Sequence, residues 1–400
     1  MSWPVIKFSE AISRSGLFSD GDWVESKDQD PEGDVRLIQL ADIGVGEFID
    51  KSNRFMTSKR ADELRCSYLK AGDILVARMP DPIGRACIFP EDMGRCVTVV
   101  DICIVRPDSE RIDNRWLMHL INSERFRNQI DRHVTGTTRQ RISRGNLAGL
   151  EIPLPPLPEQ KRIAAILDKA DAIRRKRQQA IQLADDFLRA VFLDMFGDPV
   201  TNPKGWPSVK LGEVCGVGSS KRVFVDEFTD AGVPFYRGTE VGALGEGQKI
   251  QAELFISQEH YDDLVSHSGA PEVGDLLLPS ICHDGRIWKV NHKEQFYFKD
   301  GRVLWVKVNR ELIDGDYLRS YLQRMFLSNY SAIASGTTFA ELKIVNLKSM
   351  NILSPPLALQ RKFSELVKAI SESGKLYATA DLEGEDLFSS LAKQAFSGQL

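Results

Sequence analysis

An internal duplication constrains the fold of this 400-residue chain more than any other feature of its sequence. Gly136-Thr137-Thr138 recurs as Gly336-Thr337-Thr338, and Pro155-Pro156-Leu157 recurs as Pro355-Pro356-Leu357, in both cases 200 positions later. A chain of this length exceeds what one hydrophobic core usually serves. We therefore predict two similar halves, related by a built-in pseudo-twofold symmetry.

Each half is predicted to contain a mixed, β-rich head. Segments rich in β-branched residues indicate strands, and one segment with apolar residues at helical spacing indicates a helix. A polar loop and a short strand complete the pattern. The predicted strands are 36–43, 73–79, 85–89, 97–105 and 150–154, then 233–236, 275–279, 287–290, 296–308 and 350–353, and the predicted helices are 114–133 and 316–334. The predicted fold class is therefore α+β.

A long helical pattern follows each proline run, because prolines stop the regular structure before it. Apolar residues then step by threes and fours over four heptads, which indicates a coiled-coil seam. A helix of about 38 residues would be about 57 Å long. The alternative is two amphipathic helices, each packed on its own head. The candidates for the seam or for a partner are Ile163, Ile166, Ile173, Phe187 and Val191, then Phe363, Leu366, Ile370, Tyr377, Leu387 and Leu391.

Further apolar residues widen the first stripe beyond what a two-helix seam needs, so we expect another protein to pack there. They are Leu167, Ile181, Leu188, Phe192 and Met195.

Positive charge is concentrated around the first Gly-Thr-Thr loop, although the net charge is −4. Residues 132–177 hold eleven Lys and Arg against four Asp and Glu, and nucleic acid responds to this local field. The backbone N–H groups and hydroxyls of the loop suit phosphate oxygens. Arg139, Arg141 and Arg144 follow and have the geometry for bidentate contact with phosphate or a guanine edge. The alternative is a polar turn that closes the sheet of the head.

A second internal comparison separates shared from differing positions. Gly84-Arg85 aligns with Gly285-Arg286, and residues kept in both heads should perform a common task, so both arginines are phosphate or structural candidates. Arg78, His283 and Asp284 differ between the heads and are base-reading candidates. The complete set of DNA-binding candidates is Arg78, Arg85, Gly136, Thr137, Thr138, Arg139, Arg141, Arg144, Lys221, Arg222, His283, Arg286, Gly336, Thr337 and Thr338.

Motifs for catalysis, metal binding and membrane insertion are missing from the sequence. It has no Gly-x-x-x-x-Gly-Lys-Ser/Thr loop for nucleotide hydrolysis, and no Asp/Asn-Pro-Pro-aromatic tetrapeptide for a flipped base. Its six cysteines form no Cys-x-x-Cys pair, so neither a zinc site nor a disulfide framework is expected. No apolar run approaches the length of a membrane span, and the N-terminus lacks the apolar region of a signal peptide, so neither feature is expected. We predict a cytoplasmic, non-enzymatic protein without a metal or cofactor of its own.

The junction before each long helix resembles that of a known family. Residues 154–164, Leu-Pro-Pro-Leu-Pro-Glu-Gln-Lys-Arg-Ile-Ala, are similar to the repeated junction of the specificity subunits of type I restriction–modification systems. The Gly-Thr-Thr loop and the closing Phe-Ser-Gly-Gln-Leu resemble that family as well. The second junction departs from the pattern, because Ala358-Leu359 replaces Pro158-Glu159 and removes a carboxylate from the start of the helix.

The resemblance implies two target recognition domains, at 1–152 and 198–353, that each read one half of a split, asymmetric sequence in double-stranded DNA. It implies that the helices at 153–197 and 354–400 pair as an antiparallel coiled coil and set the unread gap. It also implies two modification subunits that use S-adenosylmethionine, and restriction subunits that use ATP and Mg²⁺. The alternatives are a coiled-coil scaffold that joins proteins, and a nuclease or methyltransferase fragment.

Overall fold

The computed structural model describes residues 3–12, 16–80, 82–334 and 340–397, and for residues 373–389 it describes the backbone alone. The chain divides into two compact units. The first comprises Met1–Gln179 and Ala378–Leu400, and the second comprises Ala180–Tyr377. Each long helix therefore begins in one unit and ends in the other.

The first unit holds a head of short strands and short helices. Its sheets have the strand orders β2-β8-β5-β6, β4-β3-β7 and β1-β9, with β3 and β7 parallel and the other pairs antiparallel. The elements are β1 Val5–Lys7, β2 Leu17–Asp20, β3 Val35–Ile38, β4 Phe55–Met56, α1 Ser58–Glu63, β5 Ile74–Ala77, β6 Ala86–Ile88, β7 Cys96–Thr98, β8 Ile102–Arg106, α2 Asn114–Asn122, α3 Glu124–Asp131, α4 Arg144–Ala148, β9 Glu151–Pro153 and the long α5 Leu157–Phe196.

The second unit repeats this topology with one additional strand. Its sheets have the orders β11-β18-β15-β16, β12-β14-β13-β17 and β10-β19, with β13 and β17 parallel. The elements are β10 Ser208–Lys210, α6 Leu211–Val214, β11 Cys215–Gly218, β12 Phe228–Thr229, β13 Val233–Tyr236, α7 Gly238–Gly245, β14 Leu254–Ile256, α8 Gln258–Ser268, β15 Leu276–Pro279, β16 Trp288–Lys289, β17 Tyr297–Phe298, β18 Val303–Val308, α9 Gly315–Asn329, α10 Ile344–Ser349, β19 Asn351–Leu353 and the long α11 Leu357–Ser397. The prediction of two mixed, β-rich heads is confirmed.

Three predicted elements are interrupted. The strands predicted at 97–105 and 296–308 are each two strands in two different sheets, because the chain turns between them at partly or fully exposed residues, 99–101 and 299–302. The helix predicted at 114–133 breaks at Ser123, whose backbone is extended and whose hydroxyl accepts a hydrogen bond from Phe126 N. Serine competes with helical hydrogen bonding in this way, so it ends α2 and caps α3. The helix predicted at 316–334 ends earlier, at Asn329.

The repeated glutamine of the proline junction has a structural role. Gln160 is fully buried, and its side-chain oxygen accepts a hydrogen bond of 2.9 Å from the backbone N–H of Asp113, the residue that caps α2. Its side-chain nitrogen donates to the carbonyls of Arg111 and Pro155, each at 2.9 Å. One amide group thus ties the start of α5 to the head that precedes it.

Gln360 makes the same connection in the second unit. Its oxygen accepts from Asp314 N at 2.9 Å, and its nitrogen donates to the carbonyl of Pro355 at 2.7 Å. Asp314 caps α9 as its counterpart caps α2. The duplicated motif therefore marks duplicated joints.

The core of each head includes the start of one long helix and the end of the other. In the first unit, Ile163 from the start of α5 and Phe396 from the end of α11 lie in one cluster. In the second unit, Phe196 from the end of α5 and Phe363 from the start of α11 do so. Each unit therefore contains the first residues of one long helix and the last residues of the other.

The buried positions of the long helices differ from the predicted seam. Ile163 and Phe363 are buried, whereas Ile173, Phe187 and Leu366 are 43%, 53% and 39% exposed. Ile166, Val191, Ile370 and Leu391 are half-buried, and Tyr377 and Leu387 lie outside the described side chains.

The assignment of Leu167 and Phe192 to a partner protein was wrong. Both are buried in the head clusters of their own chain, because the heads cover the ends of α5. No helix among the described residues has the length and apolar character needed to cross a membrane.

Candidate nucleic-acid interface

An open cavity of about 600 Å³ in the first head brings several of the predicted residues together. Its walls combine three arginines with glycine, threonine and one large aromatic ring. They are formed by Trp23, Arg78, Met79, Val100, Asp101, Thr135, Gly136, Arg139 and Arg141. Four of the DNA-binding candidates, from two distant segments, thus line one concave surface.

Backbone hydrogen bonds bring three segments to this place. Arg78 follows the last residue of β5, and its N–H donates to the carbonyl of Asp101, in the turn between β7 and β8, at 2.9 Å. Its carbonyl accepts from Ile142 N at 3.2 Å. The end of a central strand therefore lies between the turn and the segment that follows the Gly-Thr-Thr loop.

The Gly-Thr-Thr loop is closed by its own backbone. Thr135 N donates to the carbonyl of Arg141 at 3.0 Å, and Arg141 N donates back to Thr135 at 2.9 Å. Gly136 has a φ of 100°, and a Cβ there would lie 2.5 Å from the carbonyl oxygen of Arg139. Glycine is therefore required at this turn.

Two of the cavity's arginines are available to a ligand. Arg139 and Arg141 are exposed, and neither guanidinium has an ion pair or hydrogen bond within the part of the chain that the structure describes. An unpaired guanidinium offers a fork of N–H donors that matches phosphate and the guanine edge. These two residues supply the free positive charge of the site.

Arg78 and Arg144 share one carboxylate. Arg78 is largely buried, with its Nε 3.4 Å from one oxygen of Asp20 at the end of β2. Arg144 Nε lies 3.6 Å from the other oxygen. Among the described residues, four arginines therefore face this end of the head with Asp20 and Asp101, so the sum of their charges is positive.

Trp23 belongs to this surface and was missed by the sequence reasoning. It lines the cavity and is 71% exposed, while the neighbouring Val24 packs into a core cluster and holds the backbone in place. An exposed aromatic ring beside arginines is typical of surfaces that stack on bases. A single tryptophan has no motif, and only the tertiary structure places it beside Arg139.

The two aligned glycine–arginine pairs differ in their contacts. Gly84 and Gly285 both have positive φ, at 83° and 71°, so the turn is shared. Arg85 is buried, so of its two expected roles the structural one fits. Arg286 is partly exposed, and its Nε lies 2.6 Å from a carboxylate oxygen of Asp284. The Arg85 guanidinium donates to the carbonyls of Leu40, Ile43 and Pro80 at 2.9, 2.7 and 2.7 Å.

The same backbone connections define the equivalent surface of the second head. Ser280 follows β15, its N–H donates to the carbonyl of Arg302 at 2.8 Å, and its carbonyl accepts from Leu342 N at 2.7 Å. Ser280 is therefore the counterpart of Arg78. The Arg302 guanidinium is hydrogen-bonded to Glu341.

Tyr330 supports this surface from beneath. Its hydroxyl accepts from Cys282 N at 2.9 Å and lies 3.2 Å from the Ser280 carbonyl. Burial raises the pKa of Tyr330, so the hydroxyl keeps its proton and remains a donor. His283 is exposed beside the ring.

The remaining candidates of the second head lie near its start or outside the described residues. Lys221 is exposed, and Arg222 Nε lies 3.0 Å from Asp300. Gly336, Thr337 and Thr338 fall outside the residues that the structure describes. Their counterparts in the first head, residues 136–138, are described.

The described residues contain no metal-binding cluster and no cysteine with a lowered thiol pKa. No group of three or more His, Cys, Asp or Glu within them is arranged to hold a metal ion. All six cysteines are buried and unpaired. Burial raises the pKa of the thiols to about 12 at Cys66, Cys87, Cys103 and Cys282. Such thiols stay protonated at neutral pH and are poor nucleophiles.

Known proteins resemble the chain in sequence. Residues 21–183, which include the whole lining of the cavity, match the family model of the type I restriction modification DNA specificity domain. A putative type I restriction enzyme specificity subunit from Haemophilus influenzae is 26% identical over 275 residues, or 66% of this chain and 67% of that protein. The MjaIX specificity subunit of Methanocaldococcus jannaschii is 24% identical over 359 residues, or 85% and 81%.

Solved structures share the fold. The crystal structure of the S subunit of a type I restriction–modification system from M. genitalium matches with a TM-score of 0.63 at 16% identity, over 99% of this chain and 96% of that one. A chain from a study of complex assembly in the type I system matches with a TM-score of 0.51 at 19% identity, over 100% and 98%.

Proposed function

Because this chain belongs to the specificity subunits of type I restriction–modification systems, we propose that its two heads each bind one part of a bipartite target in double-stranded DNA. The chain is a recognition subunit and not an enzyme. In the proposal, methylation and cleavage, with S-adenosylmethionine, ATP and Mg²⁺, belong to modification and restriction subunits in the cytoplasm.

The cavity of the first head is the observation that carries the DNA-binding part of the proposal. Arg139 and Arg141 are exposed and have no acidic partner among the described residues, and the turn at Gly136 lines the cavity with them. Phosphate contacts of this kind position a protein on a duplex, and base-edge contacts then give specificity. Trp23 adds a ring for contact with a base or sugar.

Loss of both free arginines tests this role. The Arg139→Ala/Arg141→Ala variant is expected to weaken DNA binding by the complex assembled with its modification subunits. Each phosphate contact contributes roughly 0.9 to the slope of log Kobs against log salt, so the slope should flatten by about 1.8. Anisotropy titrations at several salt concentrations measure it, with a duplex that carries the motif found methylated in cells.

Lys70→Ala is the matched control for this experiment. Lys70 is exposed and precedes β5, whereas Arg78 follows that strand, so the control removes a cation at the opposite end of the same strand. Its slope should equal that of the wild type. An unchanged slope in the double variant would refute the assigned site, and equal affinity for target and scrambled duplexes would favour a protein scaffold.

We further propose that α5 and α11 pair antiparallel, with pseudo-twofold symmetry, and act as a spacer. The support is that each head core contains the start of one helix and the end of the other. Two helices that run between the same two units in opposite directions would have this arrangement. Their length would then set the distance between the two parts of the target.

An insertion in both helices tests the spacer. Four residues added after Gln179 and four after Tyr377, where the units divide, would lengthen each helix by about 6 Å. At 3.4 Å per base pair, the unread gap should grow by about two base pairs while both recognised parts stay the same. Sequencing of methylated DNA from cells measures the gap, and an unchanged gap would count against the spacer.

A further inference from the structure

The two heads carry opposite charges at equivalent positions of their candidate DNA surfaces. Arg78 and Ser280 occupy the same place, since each follows a central strand and bonds the same two neighbouring segments. The residue whose carbonyl accepts the hydrogen bond from this backbone N–H is Asp101 in the first head and Arg302 in the second. Arg141 directly precedes Ile142, and Glu341 directly precedes Leu342, the counterpart of Ile142. Both charges are therefore reversed.

The sequence extends this difference across the loop. The three arginines after the first Gly-Thr-Thr occupy positions 139, 141 and 144. At 339, 341 and 344 the second half has phenylalanine, glutamate and isoleucine. The first head thus has three cations where the second has one anion.

Two arginines at the surface of the second head are paired, while Lys221 and Lys343 are exposed lysines there. Arg302 is hydrogen-bonded to Glu341, and Arg222 lies 3.0 Å from Asp300. Arg222 stands two residues before the cap of a 3-10 helix at Val225–Glu227, and Trp23 stands two residues before the cap of the matching helix at Ser26–Asp28. The first head thus has an exposed ring where the second has an ion pair.

Free and paired arginines differ in what they gain from DNA. A free guanidinium that meets a phosphate releases a condensed counterion from the DNA, and this favours binding at low salt. A paired guanidinium must exchange its carboxylate for the phosphate, so it gains little. A glutamate carboxylate also repels the DNA backbone. The same carboxylate can accept a hydrogen bond from the amino group of cytosine.

We infer that the two heads contribute unequally to DNA binding: the first supplies most of the salt-dependent attraction to phosphate, and the second discriminates base pairs through Glu341 and Arg302. This inference rests on the proposed function. It assigns Glu341 as a residue that limits affinity and determines specificity.

The Glu341→Gln variant is the central test, in the complex assembled with the modification subunits. Glutamine keeps the size of the side chain but removes its charge and replaces one acceptor oxygen with an NH2 donor, which frees Arg302 for phosphate. The slope of log Kobs against log salt should steepen by about 0.9, as for one added phosphate contact. Preference for the intact target over a duplex with the second head's part scrambled should fall. Arg302→Gln, by contrast, should leave the slope unchanged.

Glu272→Gln is the matched control. Glu272 pairs with Arg310 at 3.9 Å, and it precedes β15, whereas Ser280 follows that strand. The control therefore removes the same charge from a similar pair at the opposite end of the same strand. It should change neither the slope nor the preference, and thermal melting of all variants checks that they are folded.

The outcomes separate this inference from the proposed function. A wild-type complex that does not prefer its target over scrambled DNA would overturn the proposed function. Normal preference, with Glu341→Gln indistinguishable from wild type, would overturn only the inference. The inference alone would also be overturned if the slope flattened as much in Arg302→Gln as in the single variant Arg141→Ala.

Discussion

The Phe196→Ala variant is expected to lose about 3–5 kcal/mol of the free energy of unfolding of the second unit, the usual cost of emptying a buried phenylalanine site. Phe196 is almost fully buried at the end of α5. Its ring centroid lies 4.7 Å from that of Tyr317, 5.6 Å from that of Phe363 and 5.1 Å from that of Phe192. The variant would leave a cavity among three aromatic rings, which a rigid cluster cannot fill by relaxation.

Urea unfolding of the full chain, followed by tryptophan fluorescence, measures this loss, because Trp206, Trp288 and Trp305 all lie in the second unit. Phe187→Ala is the matched control, since the same side chain on the same helix is half exposed there. Its effect should stay within about 0.5 kcal/mol. Equal losses in the two variants would mean that the end of α5 is not clamped by the second head.

The counterpart of this cluster holds the end of α11 on the first head. The Phe396 ring lies 6.5 Å from Trp116, and its backbone carbonyl accepts a hydrogen bond of 2.9 Å from Arg125. Each long helix is thus anchored at its start by a glutamine and at its end by a phenylalanine. This double anchoring is what would allow the helices to hold a fixed distance in the proposed spacer.

The Gln160→Leu variant is expected to destabilise the first unit by about 3–5 kcal/mol. Leucine has a similar volume, so the change removes hydrogen bonds and leaves no large cavity. The N–H of Asp113 and the carbonyls of Arg111 and Pro155 would lose their partner. Each buried polar group left without a partner costs roughly 1–3 kcal/mol, and partial access of water to two of them reduces the sum.

Gln178→Leu is the matched control for the junction, because the same substitution then falls at an exposed position of the same helix. Fluorescence of Trp3, Trp23 and Trp116 follows the first unit in the unfolding experiment. A loss below 1 kcal/mol at Gln160 would show that the proline run alone holds the joint. Gln360→Leu should act in the same way on the second unit.

The sequence predicted the elements that depend on local patterns. The strand 233–236 agrees with β13, and the proline runs correctly located the starts of α5 and α11. Errors arose where a largely apolar pattern continued through a change of direction. Residues 97–105 are apolar except for Thr98 and Asp101, yet β7 and β8 belong to different sheets, and only pairing with β3 and β5 separates them.

The candidate site was predictable in part. The Gly-Thr-Thr loop and the arginines after it were found from residue type and spacing, and Arg139 and Arg141 do line one cavity. Trp23 and Asp101 were not found, because they come from segments far away in the chain and belong to no motif. Sequence spacing also cannot distinguish a buried arginine from one at the surface. The N–H donors of Arg85 bond to backbone carbonyls inside the head.

By itself, the sequence determined that this protein has two similar halves, two joints and two long helices, because repeats, prolines and hydrophobic periodicity are local properties of the chain. The tertiary structure alone decided which charges are free. Arg302 meets Glu341 across 39 positions of sequence, whereas Arg141 meets no carboxylate among the described residues. A charge is neutralised by whatever lies within a few ångströms of it, and the folding of distant segments sets that distance.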